Sequence, residues 1–235
     1  MAKKTDEKLF YDYCSAFASF YGRISVLDAF NIITQQNGGK YTLEEFVDYL
    51  ERYQMRRNEK NIEGYFFLYS SLEPHKAIEM DIVNDCFECD CYGEGSTTKN
   101  YYVELVSKQY GKPLYVPPKD KLLKYADDSY YEITPQTEAV IQFVKKHKRK
   151  LPFRLTTGDI ASEVLLPIIM DSEPLEAIEC LLKWLDLPED EKNYSEMLST
   201  LTDLVFELHN NTRMWFLRGY TPNEMSKIAL LPLPS

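Results

Sequence analysis

The chain has 235 residues, 44% of them hydrophobic and 27% charged, with a formal net charge of −10. That length accommodates one large domain or two small ones, and that composition buries a core, which excludes a disordered chain. The acidic balance repels polyanions at long range, which excludes broad non-specific nucleic-acid binding and leaves only a local basic patch for such a partner.

No stretch approaches the roughly 20 apolar residues of a membrane span. Met1 to Lys8 is polar and charged and does not read as a secretion signal. The expectation is a cytoplasmic protein without membrane contact, its five cysteines kept as reduced thiols. The 18 tyrosines and 12 phenylalanines read either as a tyrosine-rich rim of the core or as a sticky binding face.

In chain order, Leu9, Phe10, Tyr13, Cys14, Phe17 and Phe20 fall at spacings of three and four, which predicts an amphipathic helix over 6–21. Tyr21-Gly22 breaks it. Ser25 is a good N-cap, with Asp28 three residues on, and Val26, Phe30 and Ile33 give the second helix its apolar face. Asn37-Gly38-Gly39 stops that helix. Thr42 and Glu45 form a capping box for a third, with Phe46, Val47, Leu50 and Tyr53 inward. Beyond Asn61 the pattern changes. The aromatic run Tyr65 to Tyr69 reads as a strand, and Ala77, Ile78, Met80, Ile82 and Val83 as its partner, with 73–75 as the turn. Three helices and a β-ribbon are the parts of a winged helix.

The acidic, cysteine-bearing segment 84–100 reads as a loop, which places the division between an N-terminal unit, 1–92, and a C-terminal unit, 93–235. Helices are predicted near 101–110, at 119–126, and from Thr134-Pro135 to about Lys148. The last third reads as a helical bundle. Its elements are an apolar helix over 159–171 containing Pro167, one striped by Leu175, Ile178, Leu181, Leu182 and Leu185, and one striped by Leu198, Leu201, Leu204, Val205 and Leu208. The fold class expected is therefore mainly α, with a three-helix, winged-helix-like N-terminal unit carrying a small β-ribbon, followed by a helical bundle.

The stretch from Asn210 to Met225 is the most specific in the chain. Asn210 or Asn211 can end one helix, and Gly219 permits a turn. Thr221, Pro222 and Glu224 supply the cap, first-turn proline and capping-box acid of the next helix, and Trp215 anchors between them. This pattern, Asn-Asn-Thr-x-x-Trp-x-x-Arg-Gly-x-Thr-Pro-x-Glu, resembles the tail of a broad group of uncharacterised bacterial proteins, common in Gram-positive species. In many of them the tail precedes an SEC-C zinc-binding motif similar to the end of the SecA translocase. The region from Tyr21-Gly22 to Tyr53, Gly111-Lys-Pro-Leu-Tyr-Val-Pro and Leu122-Leu-Lys-Tyr-Ala-Asp are similar to that group as well. The resemblance implies no particular activity. The chain ends at Leu233-Pro234-Ser235 without the SEC-C cysteines, so no role for that zinc module is expected.

Two readings of the tail stand side by side: an inter-helix clasp, or a recognition surface in which Arg213, Trp215, Arg218 and Tyr220 face a protein partner. Cys86, Cys89 and Cys91 carry metal-like spacing that could hold Zn²⁺ with His75 or Asp85. A structural site needs four ligands and the chain has no second Cys-x-x-Cys, so plain thiols are expected and no cofactor is required. Arg52, Arg56 and Arg57, with Lys60, cluster at the end of the third helix, where a winged helix would enter a DNA groove or where the helix dipole alone favours cations. Lys145-Lys146-His147-Lys148-Arg149-Lys150 reads first as a solvated face at a helix end and secondly as a site for an anionic partner. No HExxH, Gly-x-Ser-x-Gly or phosphate-cradling glycine loop occurs, which lowers the expectation of an enzyme. The leading expectation is a protein-interaction or adaptor protein. A nucleic-acid-binding regulator is the alternative, and a small metal-binding protein the second.

Overall fold

The structure is a computed structural model that describes residues 4–60, 64–70, 76–88, 98–127, 129–149, 156–171 and 173–229. Two compact units divide the chain between Tyr130 and Tyr131.

The first unit opens with α1 (Lys4–Tyr21), β1 (Arg23–Ser25), α2 (Val26–Gln36), α3 (Leu43–Lys60), β2 (Phe66–Tyr69) and β3 (Asp81–Asn84). The strands form an antiparallel sheet in the order β1-β3-β2. The first unit thus runs helix, strand, helix, helix, strand, strand, with the third strand inserted between the other two, a helical unit carrying a small antiparallel sheet. The expected caps form: the Asp28 N–H donates to Ser25 Oγ at 3.1 Å, and Thr42 and Glu45 exchange both bonds of a capping box. Gly38 and Gly39 take φ of +62° and +71°, the left-handed region needed to turn the chain out of α2. The partner strand begins later than the sequence suggests, because Ala77–Glu79 is a short 3-10 turn. β1, three residues long, was not anticipated. Ser25 serves as both strand end and N-cap, and the capping signal hides the strand.

Helix α1 is the spine of this unit. From Tyr13 to Gly22 nearly every side chain is buried, on all sides of the helix rather than along one stripe. Its second cover comes from far along the chain. Residues 112–118 run extended past α1 and α2, followed by α5 (Lys119–Leu122) and a 3-10 turn, Leu123–Ala126. The Tyr21 hydroxyl donates to the Tyr115 carbonyl at 2.7 Å, Gln36 Nε2 to the Pro117 carbonyl at 2.8 Å, and Lys119 Nζ to Asn37 Oδ1 at 2.6 Å. Leu122 is fully buried in the same core as Phe10, Phe17 and Phe46.

Helix α4 (Thr98–Gln109) is tied to the sheet by a buried polar network. Arg23 Nε and the Tyr102 hydroxyl both donate to Asp81 Oδ2, at 2.7 and 2.6 Å, while Arg23 Nη1 reaches Gln109 Oε1 at 3.0 Å and Gln109 Nε2 reaches the Tyr21 carbonyl at 3.1 Å. Burial, then the Asp81 carboxylate, raise the Tyr102 phenol above its ordinary value. These contacts carry residues 98–126 into the first unit, so the division expected at 92/93 falls instead at 130/131.

The second unit is helical: α6 (Pro135–His147), α7 (Thr157–Ile169), α8 (Pro174–Leu182), α9 (Glu191–Asn211) and α10 (Pro222–Ala229). Reciprocal caps set the starts of α6 (Thr134 and Thr137) and α7 (Thr156 and Asp159), and Asp190 caps α9. Val140, Val144, Ile160, Val164, Ile168, Ile178, Leu181, Leu201, Val205 and Leu208 fill the core. Leu175, expected on the inner stripe of α8, is 64% exposed. Pro174, Ala177, Ile178 and Leu181 are the buried residues of that helix instead. Among the described residues no helix is long and apolar enough to cross a membrane.

Candidate interaction surfaces

Helix α3 carries Arg52, Arg56 and Arg57, the residues expected to meet nucleic acid. Its leading half exposes Glu44, Glu45, Asp48 and Glu51. A helix that enters the major groove does so with its N-terminal residues, so these carboxylates would meet phosphate first. Arg52 and Arg57 are engaged within the unit, while Arg56 is exposed and meets a neutral carbonyl. Arg52 bridges Glu7 at 3.2 Å and Asp48 at 3.1 Å, Arg56 Nε donates to the Arg52 carbonyl at 3.2 Å, and the Arg57 guanidinium lies 5.5 Å from the centre of the Phe67 ring. Met55, 61% exposed, sits among them. The surface is acidic with an apolar centre.

The free side of the sheet is also guarded. The Asp85 N–H donates to the Tyr65 carbonyl, which in an antiparallel pair turns the N–H and C=O of Phe66 and Leu68 away from β3, toward the outer edge. Two α3 side chains meet that edge: the Tyr53 hydroxyl donates to the Phe66 carbonyl at 3.1 Å, and Gln54 Oε1 accepts from the Leu68 N–H at 3.1 Å. A strand added there would have to displace them.

The tail forms the inter-helix clasp. The Thr221–Glu224 capping box starts α10, and the same Glu224 takes a fork from Arg213 at 3.0 and 3.3 Å. Arg213 also donates to the Gly219 carbonyl and lies 3.4 Å from Glu132. Met214 and Tyr220 close the loop through the Met214 N–H and the Tyr220 carbonyl, and Arg218 and Gly219 take the successive left-handed conformations the turn needs. Trp215 is 4% exposed. It faces inward and serves as packing, and Arg213 is an internal tie. Arg218 and Tyr220 are half-buried beside it.

Of the cysteine set, Cys86 lies in the 3-10 turn after β3, half-buried, its N–H on Asn84 Oδ1. Cys89, Cys91 and His75 lie outside the described residues. Cys14 is in the core, where burial raises its thiol pKa well above the usual range.

The residues missed in sequence are those of the Arg23–Asp81–Tyr102–Gln109 network. One signal was present: Asp81 interrupts an otherwise apolar strand run, and a carboxylate in such a place requires buried partners. No protein-family profile matches the chain, and no curated protein or solved structure matches it significantly.

Proposed function

We propose that this chain is a non-enzymatic protein-interaction or adaptor protein of the cytoplasm, in which the winged-helix unit serves protein docking rather than nucleic-acid reading. The observation that supports it is the character of α3. The half that would lead into a groove is acidic, and Arg52 and Arg57 are held in contacts of the unit itself, which leaves Arg56 as the exposed cation among the three. The resemblance of the Asn210 to Met225 pattern and of the upstream segments to uncharacterised bacterial proteins brings no activity to this reading.

The test is a comparison of the full chain with a Glu44→Lys, Asp48→Lys, Glu51→Lys variant, by in-cell cross-linking and by duplex-DNA retardation at about 50 mM salt, where phosphate contacts are strongest. The expected result is a cross-linked protein partner that the variant loses at unchanged circular dichroism, with no DNA shift for the wild type. Salt-sensitive DNA binding that disappears on reversing Arg56 and Arg57 would replace this reading with a nucleic-acid regulator.

A further inference from the structure

Lys145, Lys146, Lys148 and Arg149 are all exposed, and no acidic residue interrupts the run. In sequence this block is an ordinary helix end. In the structure it continues past the helix: α6 stops at His147, Lys148 is extended with φ −66° and ψ 138°, and the chain bridges antiparallel to Leu185. The Arg149 N–H donates to the Trp184 carbonyl and the Asp186 N–H to the His147 carbonyl, both at 2.9 Å. The helix dipole accounts for cations in the last turn and fades within it. It does not account for Lys148 and Arg149, which lie beyond the last turn on backbone fixed by two hydrogen bonds.

These charges are not spent inside the protein. Lys145 Nζ donates to Thr157 Oγ1, a neutral partner, and among the described residues none of the four forms an ion pair, although Asp186 is held next to them by its backbone. In a chain of net charge −10, four adjacent unneutralised cations on a pinned backbone make a concentrated positive strip.

We infer that this strip, Lys145, Lys146, Lys148 and Arg149, is a docking site for a short acidic segment of a protein partner. The length fits. Two residues of helix and two of extended chain span about 10 Å, the reach of three or four residues of an extended peptide. Three observations favour a peptide over a nucleic acid. Exposed Asp186 is held beside the strip by its bond to the His147 carbonyl, so a phosphate backbone running on past it would meet a carboxylate, whereas a short acidic segment ends within the strip. The one ring in the block, His147, lies 4.7 Å from Phe143, which packs on the core, so it is not offered as a stacking platform for bases. The net charge of the chain opposes a long polyanion more than a short one. The inference does not depend on what α3 docks, since it concerns a different element of the second unit.

The experiment is fluorescence anisotropy of the full chain with a short labelled peptide of alternating glutamate and serine, set against an oligothymidine of equal length, at about 50 mM and about 200 mM salt. The peptide is expected to bind at the lower salt and weaken at the higher. Lys146→Glu with Lys148→Glu is expected to cost about tenfold or more in affinity, and Lys146→Gln with Lys148→Gln less, because reversal adds repulsion to lost attraction. Lys192→Glu, on α9 and paired with Glu196, is expected to leave binding unchanged. No peptide binding by the folded wild type, oligothymidine binding as tight as the peptide, or an equal loss in the Lys192 variant would each overturn the inference.

Discussion

The Tyr53 ring stacks on Phe66 with centroids 4.3 Å apart while its hydroxyl donates to the Phe66 carbonyl, so one side chain of α3 both packs against β2 and caps its outer edge. Gly64 lies beneath that hydroxyl, and a Cβ there would overlap it. Gly64→Ala is expected to destabilise the first unit by about 1–3 kcal/mol through overpacking, measured by chemical denaturation. Ala in place of an exposed glycine such as Gly111 is the control for backbone strain alone, since Gly111 has open space around it and a φ of +74°.

Opening the edge tests the same relationship differently. Tyr53→Phe together with Gln54→Ala removes both polar groups that meet the outward groups of Phe66 and Leu68, while the ring at 53 stays. The expected outcome is concentration-dependent self-association by light scattering, because an uncapped strand edge is a template for another strand. A variant that stays monodisperse at high concentration would show that the edge is protected by something else.

Asp81 holds Arg23 and Tyr102 at once and is 6% exposed. Asp81→Ala strands a nearly buried guanidinium, and a loss of about 3–5 kcal/mol is expected. Tyr102→Phe removes one hydrogen bond and is expected to cost about 1 kcal/mol. The ratio of the two, measured by urea unfolding, distinguishes a charge network from simple packing of α4.

In the clasp, Trp215→Ala is expected to cost about 3–5 kcal/mol by leaving a cavity. Arg213→Lys keeps the charge but loses the fork to Glu224, so it is expected to free α10 while sparing the rest of the second unit. Hydrogen exchange confined to α10 is the measurement.

Different groups tie stability to the two ends of the pH scale. Burial raises the Tyr49, Tyr53 and Tyr102 phenols above the ordinary tyrosine value of about 10. Their contribution is complete below that value and is lost as pH rises toward the folded-state values. In the second unit, hydrogen bonds from Thr156 and from Asn193 lower the cap residues Asp159 and Asp190. That contribution is complete above the ordinary carboxylate value of about 4 and is lost as pH falls through the lowered ones. Both tryptophans, Trp184 and Trp215, lie in the second unit, so their fluorescence reports its acid transition, while tyrosinate absorbance follows the first unit in alkali.

Much of this architecture is readable from local chemistry. Ser25, Thr42, Thr134 and Thr221 announce their helices because a cap is decided within three residues. The aromatic run into β2 is equally local. What the sequence hides is long-range. The pairing of Asp81 with Arg23 spans 58 positions and that of Gln109 with Arg23 spans 86, and neither leaves a periodic trace. The same blindness led the division of the chain to 92/93, since a loop-like composition at 84–100 says nothing about Leu122 returning to the first core. For the surfaces, the arginines of α3 were visible but the carboxylates that pair with Arg52 and the ring beneath Arg57 were not, and whether Trp215 faced in or out depended on packing that no spacing reveals.

The return of residues 112–126 to α1 bears on how the chain is made. A ribosome releases α1 long before the segment that will cover its second face, and that helix is apolar nearly all round. The nascent N-terminal unit therefore waits, with one flank bare, until Leu122 has emerged, and only then can the first core close. A stall or a cleavage between β3 and α4 would leave a chain with α1–α3 and all three strands present and its spine still open to water.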